Sequence, residues 1–276
     1  MPYKTILVHV DNGKRAALRV DIACQLAKQW DAHLIGLHAL TVVNLPSYAL
    51  AEGGAQVREH HERMLREAAA SAEGTFKRGV AAAGAPRTEW RVSAQDAARS
   101  VPVHGRYADV LVLGQPNESE GSGVEPDFAE RVLLEIGRPV LLIPYAGDFP
   151  TVGRKVLVAW NAGREATRAL TDSIPILREA QEVNVVAFNP RGAPHGEVPG
   201  ADIGLYLARH GVKVNVSPQT AADVDVGNQI LSRAADLDVD LIVMGAYGHS
   251  RMSELILGGA TRTIIQSMTV PVLMSH

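Results

Sequence analysis

The sequence predicts an α/β protein made of two tandem doubly wound domains, each a five-stranded, mostly parallel sheet with helices on both faces. Three observations support this fold class. Short apolar runs alternate with longer segments of helical periodicity. These runs are continuous rather than alternating, which is typical of strands covered on both faces. The same order of segments occurs twice, so each half should form its own parallel sheet with right-handed crossovers.

The first half contains five predicted strands separated by helices. The opening strand ends at Asp11-Asn12-Gly13, which is a turn signal. The long second helix has Gly74 as a candidate break. The predicted strands cover residues 4–10, 32–40, 88–92, 109–113 and 139–143, and the predicted helices cover residues 16–30, 56–83, 94–106 and 128–136.

The second half repeats this order, and direct comparison supports a duplication. KTILVHVDNGKRAALRV from Lys4 aligns with RKVLVAWNAGREATRAL from Arg154, ADVLVLG from Ala108 with VDLIVMG from Val239, and RPVLLIPY with VPVLMSH. We therefore expect domains at 1–146 and 153–276, divided where Pro, Gly and Asp cluster. The predicted strands cover residues 155–160, 183–188, 212–216, 241–244 and 270–274, and the helices residues 164–180, 201–210, 226–237 and 261–267.

The composition excludes several classes of partner and compartment. A formal net charge of -3 provides no positive field for nucleic acid or an anionic membrane. The single cysteine, Cys24, allows no disulfide within the chain, which favours a reducing compartment. The sequence shows no signal-peptide pattern and no apolar run near the roughly 20 residues that span a bilayer. We expect a cytoplasmic protein.

A glycine-rich loop in the second half is the main candidate site. Gly245 and Gly248 follow the apolar run 241–244, and Gly258-Gly259 precede a predicted helix. The free N–H groups and the dipole at a helix N-terminus favour a bound phosphate. Two alternatives stay open: the glycines serve only a tight turn and close packing, or they bind an anion other than a nucleotide.

These residues resemble the universal stress protein family in its tandem form. The resemblance rests on Gly245-x2-Gly248-x9-Gly258, then Thr261, between an LIVMG strand and a PVL strand. The VLVAW opening strand and the duplication extend it over nearly the whole chain. It implies a Rossmann-like fold of the adenine-nucleotide alpha hydrolase type and a site for ATP, ADP or AMP, with or without Mg²⁺. In many members of the family, ATP is bound without efficient turnover.

The resemblance also implies roles for individual residues. Asn161 would contact the ribose, and the backbone at Phe188 would hold the adenine. The residues expected along the nucleotide are Met244, Gly245 and Gly248, and those expected to present N–H groups to the phosphates are Gly258, Gly259, Ala260 and Thr261. In addition, His249 or Arg251 in the loop could neutralise phosphate charge, or could simply face solvent.

Two residues depart from the family pattern. Asn161 stands where the family usually has an Asp; its amide can accept one hydrogen bond and donate another, but it carries no charge. Gly259 stands where the family has a hydroxyl residue, so one side-chain donor is lost and the backbone N–H remains. These two positions decide whether the resemblance extends to a working site.

The first half lacks the glycine loop. Counting back from the matched prolines places Pro126 where Gly258 lies and Asp127 where Gly259 lies. Proline has no N–H to donate, and Asp127 can cap the following helix, which would repel a phosphate. We expect no nucleotide triphosphate in the first domain, and a structural or partner-facing role or a different ligand instead.

The absent motifs favour a binding protein over an enzyme. The sequence has no Walker A lysine, no G-x-G-x-x-G fingerprint and no G-x-S-x-G elbow. Efficient phosphoryl transfer is therefore hard to assemble, and no metal cluster is expected. The alternatives are a stress-linked interaction protein that binds no nucleotide, and a slow ATPase.

Besides nucleotide binding, the sequence predicts that the two domains pair with each other. The closing strands 140–143 and 272–274 are candidates for domain pairing, because an exposed apolar edge needs covering. A homodimer is plausible by the same logic. An unidentified protein partner is also expected.

Overall fold

The alternation of strand and helix predicted from the sequence is confirmed in the computed structural model. It describes residues 2–40, 54–85, 87–117, 124–190, 200–221, 223–248 and 259–276. Within these residues there are ten strands and eight helices, with five strands in each repeat. They fall into two compact units, residues 3–136 and residues 137–276 together with Pro2.

The unit 3–136 contains a parallel four-stranded sheet in the order β3-β2-β1-β4. The chain runs from β1 outward to β3 and then returns to β4 on the other side of β1. The carboxyl ends of β1 and β4 therefore flank the point where the strand order reverses. The elements are β1 (Thr5–His9), α1 (Ala16–Trp30), β2 (His33–Ala39), α2 (Gly54–Ala83), β3 (Thr88–Ser93), α3 (Ala97–Gly105), β4 (Val110–Gly114) and α4 (Phe128–Ile136).

The unit 137–276 contains a six-stranded sheet in the order β5-β10-β9-β6-β7-β8. All neighbours are parallel except β5, which pairs antiparallel with β10. The order reverses between β6 and β9. The elements are β5 (Val140–Ile143), β6 (Lys155–Trp160), α5 (Arg164–Leu177), β7 (Glu182–Phe188), α6 (Ala201–Arg209), β8 (Asn215–Gln219), α7 (Val226–Asp236), β9 (Leu241–Gly245), α8 (Gly259–Ser267) and β10 (Val272–Ser275).

The continuous apolar runs are core strands, as expected. Residues 110–113 of β4 and residues 241–243 of β9 are at most 1% exposed. Burial from both faces removes all of this apolar surface from water, at roughly 25 cal/mol per Å². The two central strands thus hold the sheets together and fix the positions of the loops that follow them.

The two closing strands pair with each other, so the apolar edge of β10 is covered. The register sets Leu273 opposite Leu141, Val272 opposite Leu142, and Met274 opposite Val140. By sequence β5 belongs to the first repeat, but by position it belongs to the second compact unit. The predicted domain boundary between residues 146 and 153 therefore stays a prediction from the sequence.

Several predicted element boundaries differ from the structure by one to three residues, and one predicted helix break is absent. The helix α2 is continuous through Gly74. The strand predicted at 212–216 lies at Asn215–Gln219 instead. Val212 lies just beyond α6, and its N–H donates back to the Leu207 carbonyl of that helix at 3.1 Å, so the strand begins later. The strand accommodates Pro218 since β8 is an edge strand.

A carboxylate at the amino end of the sheet is a feature that the sequence reading missed. Asp240 accepts hydrogen bonds from the Thr151 hydroxyl at 2.6 Å and from three backbone N–H groups, those of Gly153, Arg154 and Lys155, at 3.0–3.1 Å. Its equivalent in the first repeat, Asp109, accepts from two N–H groups, at 2.7 and 2.9 Å. Both carboxylates therefore anchor the start of the first strand of their repeat.

Candidate functional site

The candidate site lies at the carboxyl ends of β6 and β9, where the strand order reverses. Register pairs place Ala159 beside Met244, so the residues that follow each strand emerge side by side. Asn161 comes directly after β6, and Gly248 lies three residues after the end of β9. The prediction that these two loops flank one site is therefore consistent with the observed register.

The start of α8 is held against the loop that follows β9. The Thr261 hydroxyl accepts a hydrogen bond from the Tyr247 N–H at 3.1 Å, and the Thr261 side chain is almost fully buried. Tyr247 itself adopts a left-handed backbone conformation, with φ of 56°. Thr261 thus acts through its side chain to bring the N-terminus of α8, with Gly259 and Ala260, next to the first half of the loop.

Gly245 is required by close packing of β9 on α5. A Cβ at this position would lie 2.5 Å from the Ala166 backbone nitrogen and 2.6 Å from the Glu165 carbonyl carbon. Both are backbone atoms and cannot turn aside. Gly245 is therefore needed for close packing, whatever the loop binds.

Gly248 and Gly259 are different, because backbone does not crowd them. A Cβ at Gly248 would meet the Glu165 carboxylate oxygen Oε2 at 2.9 Å and the Asn161 Nδ2 at 3.9 Å. Among the described residues, no atom would lie within 4 Å of a Cβ at Gly259. The described groups nearest to these two glycines are therefore flexible side chains rather than backbone.

Asn161 has its acceptor already engaged. Its Oδ1 accepts a hydrogen bond from the Gly163 N–H at 2.9 Å, which fixes the orientation of the amide. The Nδ2 donor is consequently the group that faces Gly248. A bound ligand would meet an N–H donor here, where an aspartate would offer an acceptor.

The other residues predicted for the site include two with buried side chains and three that lie outside the described residues. Phe188 is the last residue of β7, and its side chain is buried, as is that of Met244. Any contact of these two residues with a ligand would have to come mainly from the backbone. His249, Arg251 and Gly258 lie outside the described residues.

A buried carboxylate in the site was not anticipated. Glu165, in the first turn of α5, is 9% exposed, and its Oε1 lies 3.3 Å from Nη2 of the neighbouring Arg164. The alignment of the repeats contained the signal, since it sets Glu165 against Arg15 and makes the position one of opposite charge. The described residues contain no group of three or more His, Cys, Asp or Glu side chains placed to hold a metal ion.

The corresponding crevice of the first unit is filled by an arginine. Arg19, on α1, is almost fully buried; its Nη2 lies 2.8 Å from Asp11 Oδ1, and its Nε donates to the His9 carbonyl at 3.0 Å. A Cβ at Gly114, the equivalent of Gly245, would clash with its Nη1. The repeats align Arg19 with Ala169, so the second unit has a methyl group where the first has a guanidinium.

Asp11 is therefore committed to internal contacts. Besides the Arg19 pair it accepts a hydrogen bond from the Gly13 N–H at 2.9 Å, as its interpretation as a turn residue required. Burial works to raise the pKa of its carboxyl group, but the Arg19 charge and these hydrogen bonds outweigh it, so the pKa is lowered. The carboxylate is not available to a ribose unless the Arg19 pair opens.

Comparison with known proteins gives a consistent set of similarities. The family model described as "Universal stress protein family" matches residues 2–144 and again 154–276. A universal stress protein of Synechocystis is 26% identical over 188 residues, which cover 60% of this chain and 57% of that relative. The chain thus matches little more than half the length of this relative.

A solved structure has the same fold over nearly the whole chain. A universal stress protein from Archaeoglobus fulgidus aligns with a TM-score of 0.70 at 17% identity, covering 98% of this chain and 95% of the other. A universal stress protein solved in complex with cAMP is 26% identical, with a TM-score of 0.33, over 51% of this chain and 97% of its own. Across the described segments, no helix has the length and apolar character to span a bilayer.

Proposed function

The chain belongs to the universal stress protein family, and from that premise we propose that its second repeat binds ATP or a related adenine nucleotide, ADP or AMP. The protein then acts by binding, as a regulatory component of a stress response, rather than as an efficient enzyme. The first repeat, in this proposal, binds no nucleotide triphosphate.

One observation supports this assignment: a buried arginine side chain occupies the crevice at the strand-order reversal in the first repeat, and the aligned residue of the second repeat is an alanine. Arg19 lies against Gly114 and pairs with Asp11 in the first unit. At the aligned position the second unit has Ala169; although the α5 backbone packs against Gly245, only side chains of described residues approach Gly248, and no described atom lies within 4 Å of a Cβ placed on Gly259. Ligands of doubly wound sheets bind at this point of the fold, so the second unit is the better host.

The roles we propose follow the position of each residue. The Asn161 Nδ2 donates to a ribose or phosphate oxygen, and the backbone at Phe188 and Met244 lies along the base and sugar. The N–H groups of Gly248, Gly259 and Ala260, at the loop and the start of α8, face the phosphates, where the helix dipole favours negative charge. Thr261 positions this helix end through its bond to the Tyr247 N–H.

A low catalytic rate is part of the proposal. The sequence carries no P-loop lysine to neutralise a developing phosphate charge. The proposed interactions bind the ground state and provide little that is specific to a transition state. Two assembly features are proposed with it: a homodimer, and a partner protein that senses the nucleotide-bound form.

Titration calorimetry tests the proposal. Wild-type protein should release or absorb heat with ATP, ADP and AMP at up to millimolar concentration. Gly248→Asp places a second carboxylate beside Glu165 and in the phosphate position, and should weaken ATP binding at least tenfold, about 1.4 kcal/mol.

The first repeat supplies a matched control for that variant. Asn117 is the residue that aligns with Gly248. Asn117→Asp introduces a carboxylate at the equivalent place in the other unit and should leave ATP binding unchanged. No heat with any of the three nucleotides would favour the non-binding interaction protein, whereas equal losses in both variants would place the site elsewhere. Phosphate release that is lost only in Gly248→Asp would favour the slow ATPase.

A further inference from the structure

Glu165 introduces a negative charge at the point where the proposed ligand is most negative. Its Oε2 lies 2.9 Å from the position that a Cβ on Gly248 would occupy. A phosphate group bound on this side of Gly248 would therefore approach this carboxylate. The residue is 9% exposed, so water does little to screen the repulsion.

The local counter-charge does not cancel it. Arg164 Nη2 reaches Glu165 Oε1 at 3.3 Å, but the Arg164 side chain is 89% exposed. An ion pair with one partner in solvent contributes little. The Arg164 contact is made to Oε1, whereas Oε2 is the oxygen nearer to Gly248.

The neighbouring groups fit a cation that arrives with the nucleotide. Magnesium is usually bound through one or two protein carboxylates together with substrate phosphates, and it keeps several waters. Glu165 supplies one such carboxylate, and Asn161 Nδ2, 3.9 Å from the same Gly248 position, can donate to a phosphate or to a metal-bound water. Among the described residues no further acidic or histidine cluster is present to hold a metal alone.

The first repeat provides an internal contrast. There the aligned residue is Arg15, and the buried Arg19 guanidinium lies in the crevice. The buried charge of the first unit is thus an Arg19–Asp11 ion pair, whereas the second unit, with Asn161 in place of Asp11, carries a buried Glu165 carboxylate whose neighbour Arg164 lies mostly in solvent.

We propose that the second repeat takes its nucleotide as the magnesium complex, with the Glu165 carboxylate as the protein ligand of the cation. This inference rests on the proposed nucleotide site and adds its charge selectivity: free ATP is disfavoured and Mg·ATP is accepted. By linkage, ATP raises the affinity of the protein for Mg²⁺ by the same factor that Mg²⁺ raises it for ATP.

The experiment compares ATP binding in excess Mg²⁺ with ATP binding in EDTA. Wild-type protein should bind at least about tenfold more tightly with Mg²⁺, within the usual range of coupling between two ligands. In Glu165→Gln the ratio should collapse towards one, because the variant binds free ATP better and Mg·ATP worse. A loss in both conditions by the same factor would show a merely structural role and overturn the inference.

Two controls keep the outcomes separate. Glu179→Gln removes a carboxylate from an exposed residue just beyond the far end of α5 and should keep the wild-type ratio. Glu165→Asp retains the charge and should retain a Mg²⁺ preference, and thermal melts check that each variant is folded. Binding that is indifferent to Mg²⁺ in wild-type protein overturns this inference alone; absence of binding in both buffers overturns the proposed function as well.

Discussion

The buried histidine of β1 makes the stability of the first unit sensitive to acid. His9 is 2% exposed, and its ring centre lies 5.2 Å from that of Phe128. Burial lowers the pKa of His9 to about 4; Asp11 opposes this shift, and the charges of Arg19 and His38 add to it. The folded protein therefore keeps this imidazole neutral at pH values where the unfolded chain would protonate it.

The sign and size of the effect follow from the two pKa values. The unfolded pKa is 6.5 and the folded pKa is about 4, so the unfolded state binds more protons between them. Stability is fully present above pH 6.5 and is lost as the pH falls towards 4. At about 1.36 kcal/mol for each pKa unit, the limiting loss of folding stability is about 3 kcal/mol, of which about 2 kcal/mol is lost between pH 7.5 and 5.0.

Urea denaturation at pH 7.5 and 5.0 measures this loss, with hydrogen exchange of β1 peptides to locate it in the first unit. His9→Gln costs some stability at both values, but its free energy of unfolding should fall by about 2 kcal/mol less than that of the wild type between them. His60→Gln, at an exposed position of α2, should keep the wild-type difference. If His9→Gln and wild-type protein lose equal stability, the buried neutral imidazole is not the cause.

Two further predictions concern other sites. Asp240→Ala removes four charge-assisted hydrogen bonds and should destabilise the second unit by about 3 kcal/mol. Asp109→Ala removes two and should destabilise the first unit by about half as much. Equal losses of stability in urea denaturation would contradict this reasoning. Gly245→Ala should cost about 1–3 kcal/mol through its backbone clash. Gly259→Ser, whose Cβ would meet no described atom within 4 Å, should melt within about 2 °C of wild-type protein and bind ATP more tightly through the added hydroxyl.

The fold was predictable because it depends on periodicity and on the duplication. Continuous apolar runs identify strands such as β4 and β9 without reference to any partner, and matching strings such as VLVLG and LIVMG establish the repeat. The place of β5 was less predictable. Which unit a strand joins depends on contacts far along the chain, and local sequence carries little information about them.

The site was predictable only in part. Glycine spacing and the ends of β6 and β9 indicated where the crevice lies. The residues that decide its charge, Arg19 in one unit and Glu165 in the other, lie on helices, and a periodic pattern does not show which polar residue turns towards the strand ends. Aligning the repeats position by position would have revealed both, since it sets Arg19 against Ala169 and Glu165 against Arg15.

The pairing of β5 with β10 has a consequence for assembly. Leu141 and Leu273 occupy equivalent positions in the two repeats and lie opposite each other. On either side of them, Val272 lies opposite Leu142 and Met274 lies opposite Val140, and these two pairs are equivalent when the two strands are exchanged. A protein with a single repeat would need two copies of itself to form this self-complementary contact. Here the connecting chain supplies the second strand at a fixed effective concentration, so the contact survives dilution that would dissociate two separate copies.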